Sequence, residues 1–209
     1  TGAIGQSMDA FADRIYDETG GKYKIETYHN GQLGAEIDTI EGCQMGTIDI
    51  AVVNQSTIGN FINDFQALDV PYLITSTEQA DGVFLGDIGT RFLDKLSGVQ
   101  LYGLGIWESG FRNLTNSKRD VNSVDDVAGL KIRTMENSYH LAFWKAIGAN
   151  PTPMSFSEVY IGLQQHTIDA QENPYEVIVS NNLYEQQDYV VETNHLPHLI
   201  SLIVNDDFF

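Results

Sequence analysis

A single cysteine, Cys43, leaves no partner for an internal disulfide. It lies between apolar positions in a helical pattern and reads as a small core residue rather than a nucleophile. Positive charge is scarce: 11 Lys and Arg stand against 29 Asp and Glu, a formal net charge of −18. That balance excludes nucleic acid and an anionic membrane surface as partners, because both attract a basic face. No apolar run approaches the roughly 20 residues of a membrane-spanning helix. No basic-apolar-small leader opens the chain either, as expected where a targeting segment was removed or never existed.

Catalytic and cofactor signatures are thin as well. There is no G-x-S-x-G and no Walker loop, and the G-x-G at Gly103 and Gly105 lacks a third glycine and a following helix. Of the five histidines only His195 and His198 are close, and Pro197 between them argues against a helical metal face. Carboxylates abound, but a catalytic pair needs a spacing in space that abundance does not supply. The expectation is therefore no cofactor, no metal and no enzyme.

What is present is an α/β grammar in 209 residues, 42% of them apolar, enough to bury a sizeable core. Met8, Phe11, Ala12, Ile15 and Tyr16 recur at helical spacing up to Gly20-Gly21. Tyr23, Ile25 and Thr27 alternate with charged residues and predict a strand. A helix over 36–45 stops at Gly46 before the buried strand 48–53. Two helical patterns fill 76–97, and 99–107 reads as another strand. A short helix at 123–129 precedes the strand 130–135, and Asn137 or Ser138 caps a helix through Ile147. Ser155 and Glu158 have the spacing of a capping box. Alternating strands and helices predict largely parallel sheets.

The chain also echoes itself. Asp38, Gly42, Gln44 and Thr47-Ile48-Asp49 match Glu158, Gly162, Gln164 and Thr167-Ile168-Asp169 at one constant offset, each followed by an asparagine, Asn54 or Asn173. Two similar lobes would set these asparagines on opposite walls of a cleft beyond the carboxyl ends of the strands. Only five arginines are present. Arg14, Arg91 and Arg119 read as solvated. Arg133 falls within the apolar strand GLKIRTM, where an unpaired guanidinium costs several kcal/mol and so calls for an anion. Arg112, after WESGF, is either a second anion ligand or a structural arginine bridging the lobes.

At these residues the chain resembles the extracytoplasmic solute receptors of tripartite ATP-independent periplasmic (TRAP) transporters. The resemblance runs through GQLGAEIDTIEGCQMGTIDIAVV, LDVPYL, GFRNLTNSKR, SVDDVAGLKIR and GANPTPMSFSEVYIGLQQHTIDAQENP. It implies a two-lobed periplasmic-binding-protein-like fold with the ligand cleft between lobes, divided as 1–106 mainly lobe 1 and 107–209 mainly lobe 2. It also implies that the family's first strand precedes Thr1 and that the second lobe continues past Phe209. Arg133 matches the arginine that clamps the ligand carboxylate, Arg112 a second arginine near the anion, and Asn173 an asparagine that reaches it. Phe156 matches an aromatic of the cleft wall; Glu36, Asn54 and Glu136 match positions that contact the distal part of the ligand.

The resemblance further implies a monomeric receptor outside the cytoplasm, either periplasmic or lipid-anchored at the outer face of the membrane. Its partners are a small organic acid, a sugar acid or dicarboxylate, and membrane permease subunits. Competing readings are an enzyme of sugar acids using Glu36 and Glu136, and a solute-sensing domain. Acids and amides in the distal site suit hydroxyl groups better than a second carboxylate. A uronate or aldonate is therefore expected over succinate or malate.

Overall fold

The computed structural model describes residues 2–209. Helix α1 spans Ala3–Glu18 and α2 spans Glu36–Gln44, followed by strand β1, Ile50–Asn54, and the short α3, Gln55–Ile58. After a 3-10 turn at Asn63–Asp69 come α4, Thr77–Phe84, and α5, Asp87–Asp94. The long β2, Leu101–Asn116, leads to β3, Lys131–Thr134, α6, Ser138–Ala146, and β4, Asn150–Pro153. The chain closes with α7, Phe156–Gln164, β5, Ala170–Asn173, α8, Tyr175–Ser180, and β6, Tyr189–Asn205.

All six strands form one sheet in the order β1-β6-β2-β5-β3-β4. It is mixed, which corrects the expectation of largely parallel sheets: β1–β6, β6–β2 and β2–β5 are antiparallel, and only β5–β3 and β3–β4 are parallel. The reason is β2 and β6, of 16 and 17 residues, which run through both halves of the molecule and pair with strands of each. Neither was read in full from the sequence. The strand expected to end at Trp107 continues through the polar ESG segment to Asn116, across register shifts at Gly103/Gly105, Glu108/Phe111 and Arg112/Leu114. Such bulges bend a strand and break its alternation, the pattern on which a sequence reading relies.

Two lobes follow from two main cores. Ile40 and Cys43 of α2, Val53, Ile58, Phe65, Phe84 and Leu101 pack with Leu199 and Ile203 of β6. Leu114, Leu130, Ile132, Trp144 and Ala170 form the second core, and a smaller cluster joins Val159 and Leu163 of α7 to Ile178 of α8. Cys43 is fully buried in the first, and burial pushes its thiol up to about 12, consistent with an inert core residue.

The internal echo is structural. In both copies Thr N–H and hydroxyl donate to the glycine carbonyl five residues back, at 2.9 and 3.1 Å for Thr47 to Gly42 and 3.0 and 3.0 Å for Thr167 to Gly162. Each of these glycines packs its bare Cα on the isoleucine that follows the threonine, Ile48 or Ile168. Two local expectations fail. Burial alternates along residues 24–30, with Tyr23 exposed, but this segment pairs with no strand among the described residues. The Ser155 hydroxyl lies 3.0 Å from the Ser157 hydroxyl instead of capping α7, so the capping box is not closed.

Candidate functional site

The register between β3, β5 and β2 sorts the polar residues onto two faces. Ile132 pairs with Ala170, and both enter the second core. By strand alternation Arg133, Gln171 and Asn173 then lie on the other face, together with Asn113 and Thr115, which pair with Asn173 and Gln171. Glu172 and Arg112 lie on the core side, so the two candidate arginines occupy different surroundings.

Arg112 is consumed within the protein. Its Nε and Nη2 donate to the two Glu172 carboxylate oxygens at 2.5 and 2.8 Å, Nη2 also donates to the Glu172 carbonyl at 2.6 Å, and Nη1 donates to His198 Nδ1 at 2.6 Å. Both partners of the ion pair are at most 1% exposed. Burial pushes the Glu172 carboxyl up, but the Arg112 charge and its histidine and arginine partners hold it well below the usual carboxylate range. His195 Nε2 sits 3.0 Å from Glu172, and His140 Nδ1 sits 3.9 Å away, too far for a hydrogen bond but close enough for attraction when charged.

Arg133 differs. It is 3% exposed, and its Nε and Nη2 both donate to the Met154 carbonyl, at 2.9 and 2.7 Å. Its Cζ lies 5.8 Å from the centre of the Phe156 ring, whose residue is 37% exposed. No carboxylate among the described residues is within ion-pair distance, and Nη1 has no partner. Burial, then the nearby Arg112 charge, pull the guanidinium down to about 10, against the pull of Glu172, Glu36 and Glu136; it stays cationic at neutral pH. A buried cation held by one carbonyl and one ring keeps donors that an anion could take.

Asn173, 2% exposed, ends β5 and donates from Nδ2 to Gln171 Oε1 at 2.6 Å, and its Oδ1 has no partner among the described residues. Asn54 ends β1 in the corresponding way, caps α3 by accepting from Ser56 N–H at 2.8 Å, and donates to His198 Nδ1 at 3.0 Å. Glu36 is anchored by the Asn54 N–H at 2.9 Å and the Thr57 hydroxyl at 2.6 Å, so each carboxylate oxygen already has a donor. The Glu136 side chain is exposed, and its carbonyl accepts from Asn60 Nδ2 at 2.7 Å. A concavity of about 380 Å³ is bordered by Asn113, Pro174, Tyr175 and Asn194, but neither Asn173 nor Arg133 lines it.

His198 is a polar group that sequence reasoning set aside. Its Nδ1 accepts from both Arg112 and Asn54, so the proton belongs on Nε2, which has no partner among the described residues. Burial and then Arg112 hold this ring well below the ordinary imidazole range, and it is a neutral donor. The only signal was the His-x-x-His pair, and it became informative once both residues were placed on a strand crossing the two lobes.

The model of the family "Bacterial extracellular solute-binding protein, family 7" matches residues 2–209. A solute-binding protein of Verminephrobacter eiseniae is 40% identical over 205 residues, covering 98% of this chain and 61% of that protein. The sugar acid binding protein DctPAm of Advenella mimigardefordensis, solved with galactonate, superposes with a TM-score of 0.97 at 35% identity, over 99% of this chain and 67% of that one. A TRAP periplasmic solute binding protein of Sulfurospirillum deleyianum with bound succinate superposes at 0.95 with 30% identity, over 98% and 66%. The chain thus spans about three fifths of the length of the curated relative.

Proposed function

We propose that this chain, which belongs to family 7 of the bacterial extracellular solute-binding proteins, is the ligand-holding part of a TRAP-transporter receptor for a hydroxylated organic acid. The observation that carries the reading is Arg133, a buried cation with no carboxylate partner and a free Nη1. In this reading a ligand carboxylate meets Nη1 and Nη2 of Arg133, Asn173 adds an amide contact, and Phe156 forms the adjoining wall. Arg112 and Glu36 act behind the site: Arg112 locks Glu172 and His198, and Glu36 holds the turn into α3 that carries Asn54. The receptor works outside the cytoplasm as a monomer, binds without turnover, and hands the acid to membrane permease subunits. The lobe boundary falls near residue 106, with the end of β6 returning to lobe 1.

A monocarboxylate bearing hydroxyls suits the cleft better than a dicarboxylate. Arg112, the cation that would take a second carboxylate, already makes four hydrogen bonds inside the protein. The remaining polar group on the Arg133 face, the amide of Asn173, is neutral and suits a hydroxyl. The galactonate held by the Advenella protein fits this preference, and the succinate held by the Sulfurospirillum protein marks the alternative.

Thermal-shift screening followed by titration calorimetry with galactonate, glucuronate and succinate tests the reading, since a ligand specific for the folded state raises its stability by mass action. Binding of at least one sugar acid is expected, with Arg133→Ala weakened by about 2–5 kcal/mol while remaining folded. Arg133→Lys is also expected to bind poorly, because a point charge lacks the two-pronged contact. Undiminished affinity in Arg133→Ala rules out the carboxylate clamp; succinate binding far more tightly than either sugar acid overturns the ligand preference alone.

A further inference from the structure

Behind Asn173 runs a chain of side-chain hydrogen bonds with a fixed direction. Gln187 Nε2 donates to the Gln186 carbonyl at 2.7 Å. A carbonyl only accepts, so the amide of Gln187 must turn its Oε1 the other way, where it accepts from the Thr115 hydroxyl at 2.7 Å. With its proton committed, the Thr115 oxygen accepts from Gln171 Nε2 at 2.7 Å. Gln171 Oε1 is then the acceptor for Asn173 Nδ2 at 2.6 Å. Reversing any one member would set two oxygens or two N–H groups against each other, and Thr115, Gln171 and Asn173 are each at most 3% exposed, beyond rescue by water.

We propose that Gln171, Thr115 and Gln187 are positioning residues that fix the amide of Asn173 so that it presents its carbonyl oxygen and one N–H to the ligand. The inference rests on the reading that Asn173 contacts the bound acid. An amide set this way matches a 2-hydroxy acid: the N–H meets the carboxylate and Oδ1 accepts the proton of the adjacent hydroxyl. Were the amide free to turn, it could offer both N–H groups to the carboxylate and ignore the hydroxyl. The relay therefore selects acids hydroxylated next to the carboxylate.

The test compares galactonate with 2-deoxygalactonate by calorimetry in the wild type, Thr115→Val, Thr115→Ser and Gln187→Ala, using protein that contains the whole chain. The wild type is expected to prefer galactonate about tenfold, the worth of one satisfied neutral hydrogen bond. Thr115→Val and Gln187→Ala should bring the ratio to within about twofold of unity, and Thr115→Ser should restore it. Equal weakening for both acids, with the ratio intact, reduces these residues to support of the strand and overturns the proposal. So does a wild type that binds both acids equally. A wild type that binds neither acid overturns the sugar-acid reading itself, and the relay's role falls with it. Should Thr115→Val fail to fold, the half-buried Gln187 carries the same comparison.

Discussion

Two arginines in apolar strands meet opposite fates because their neighbours differ by one position of alternation. Arg112 faces Glu172 and forms a bidentate pair, whereas Arg133, on the other face of the sheet, finds only a carbonyl. Removing Arg112 strands a fully buried carboxylate, so Arg112→Leu is expected to cost about 3–5 kcal/mol in urea unfolding, while Arg112→Leu with Glu172→Leu recovers much of the loss. A double variant no more stable than the single one would show that the packing of the guanidinium, not the orphaned charge, sets the cost. Of the candidate site, Arg133 was legible in the sequence because a guanidinium midway along GLKIRTM, between Ile132 and Met135, has few structural explanations. Glu172 was not, because QEN gives no hint of which of its three polar residues turns toward the core.

At the scale of elements, the helices and their stops were read well from apolar spacing and glycine, and the two crossing strands were not. β2 hides behind its bulges, and β6 carries the polar run Glu192–His195 and then Pro197 and His198 in its middle, which interrupt the alternation a strand reading needs. The helix–strand echo was visible, and its shared geometry invites a paired comparison. A Cβ on Gly162 would come within 3.2 Å of Ile168 Cδ1, so the buried isoleucine must give by only a few tenths of an ångström. On Gly42 it would meet Ile48 Cδ1 at 2.8 Å, with Ile48 packed against the first core. Alanine also gains about 0.5–1 kcal/mol of helix propensity over glycine. Gly162→Ala should therefore melt close to the wild type, and Gly42→Ala should lose about 1–2 kcal/mol through overpacking. The reverse order in thermal unfolding would mean that the two units are packed less alike than their hydrogen bonds suggest.

For the whole molecule, the lobes are stitched by a few buried polar contacts beside the crossing strands. Asn137 caps α6 in the second lobe and donates to the Ser56 carbonyl at 2.9 Å and to Asp69 at 2.8 Å, both in the first. His140, one turn into α6, places Nε2 3.2 Å from Asp69, with Glu172 on its other side. Burial pushes the His140 ring down, but Asp69 and Glu172 together raise it above the ordinary 6.5. A raised folded value means that the stability drawn from protonated His140 is complete below about pH 6.5 and is lost as pH rises through the folded value. His195 and His198, pushed down chiefly by burial, act in the opposite sense: their contribution is present above 6.5 and lost in acid. Glu172, held well below its ordinary 4.5, adds a further loss at lower pH. Stability should therefore peak near neutrality and decline on both sides. Replacing His140 with Asn removes the group responsible for the decline above about pH 6.5 and leaves the acid limb in place. Urea midpoints measured across pH should then converge toward alkaline values for wild type and His140→Asn; parallel alkaline declines would assign that limb to another group and leave Asn137 as the principal stitch between the lobes.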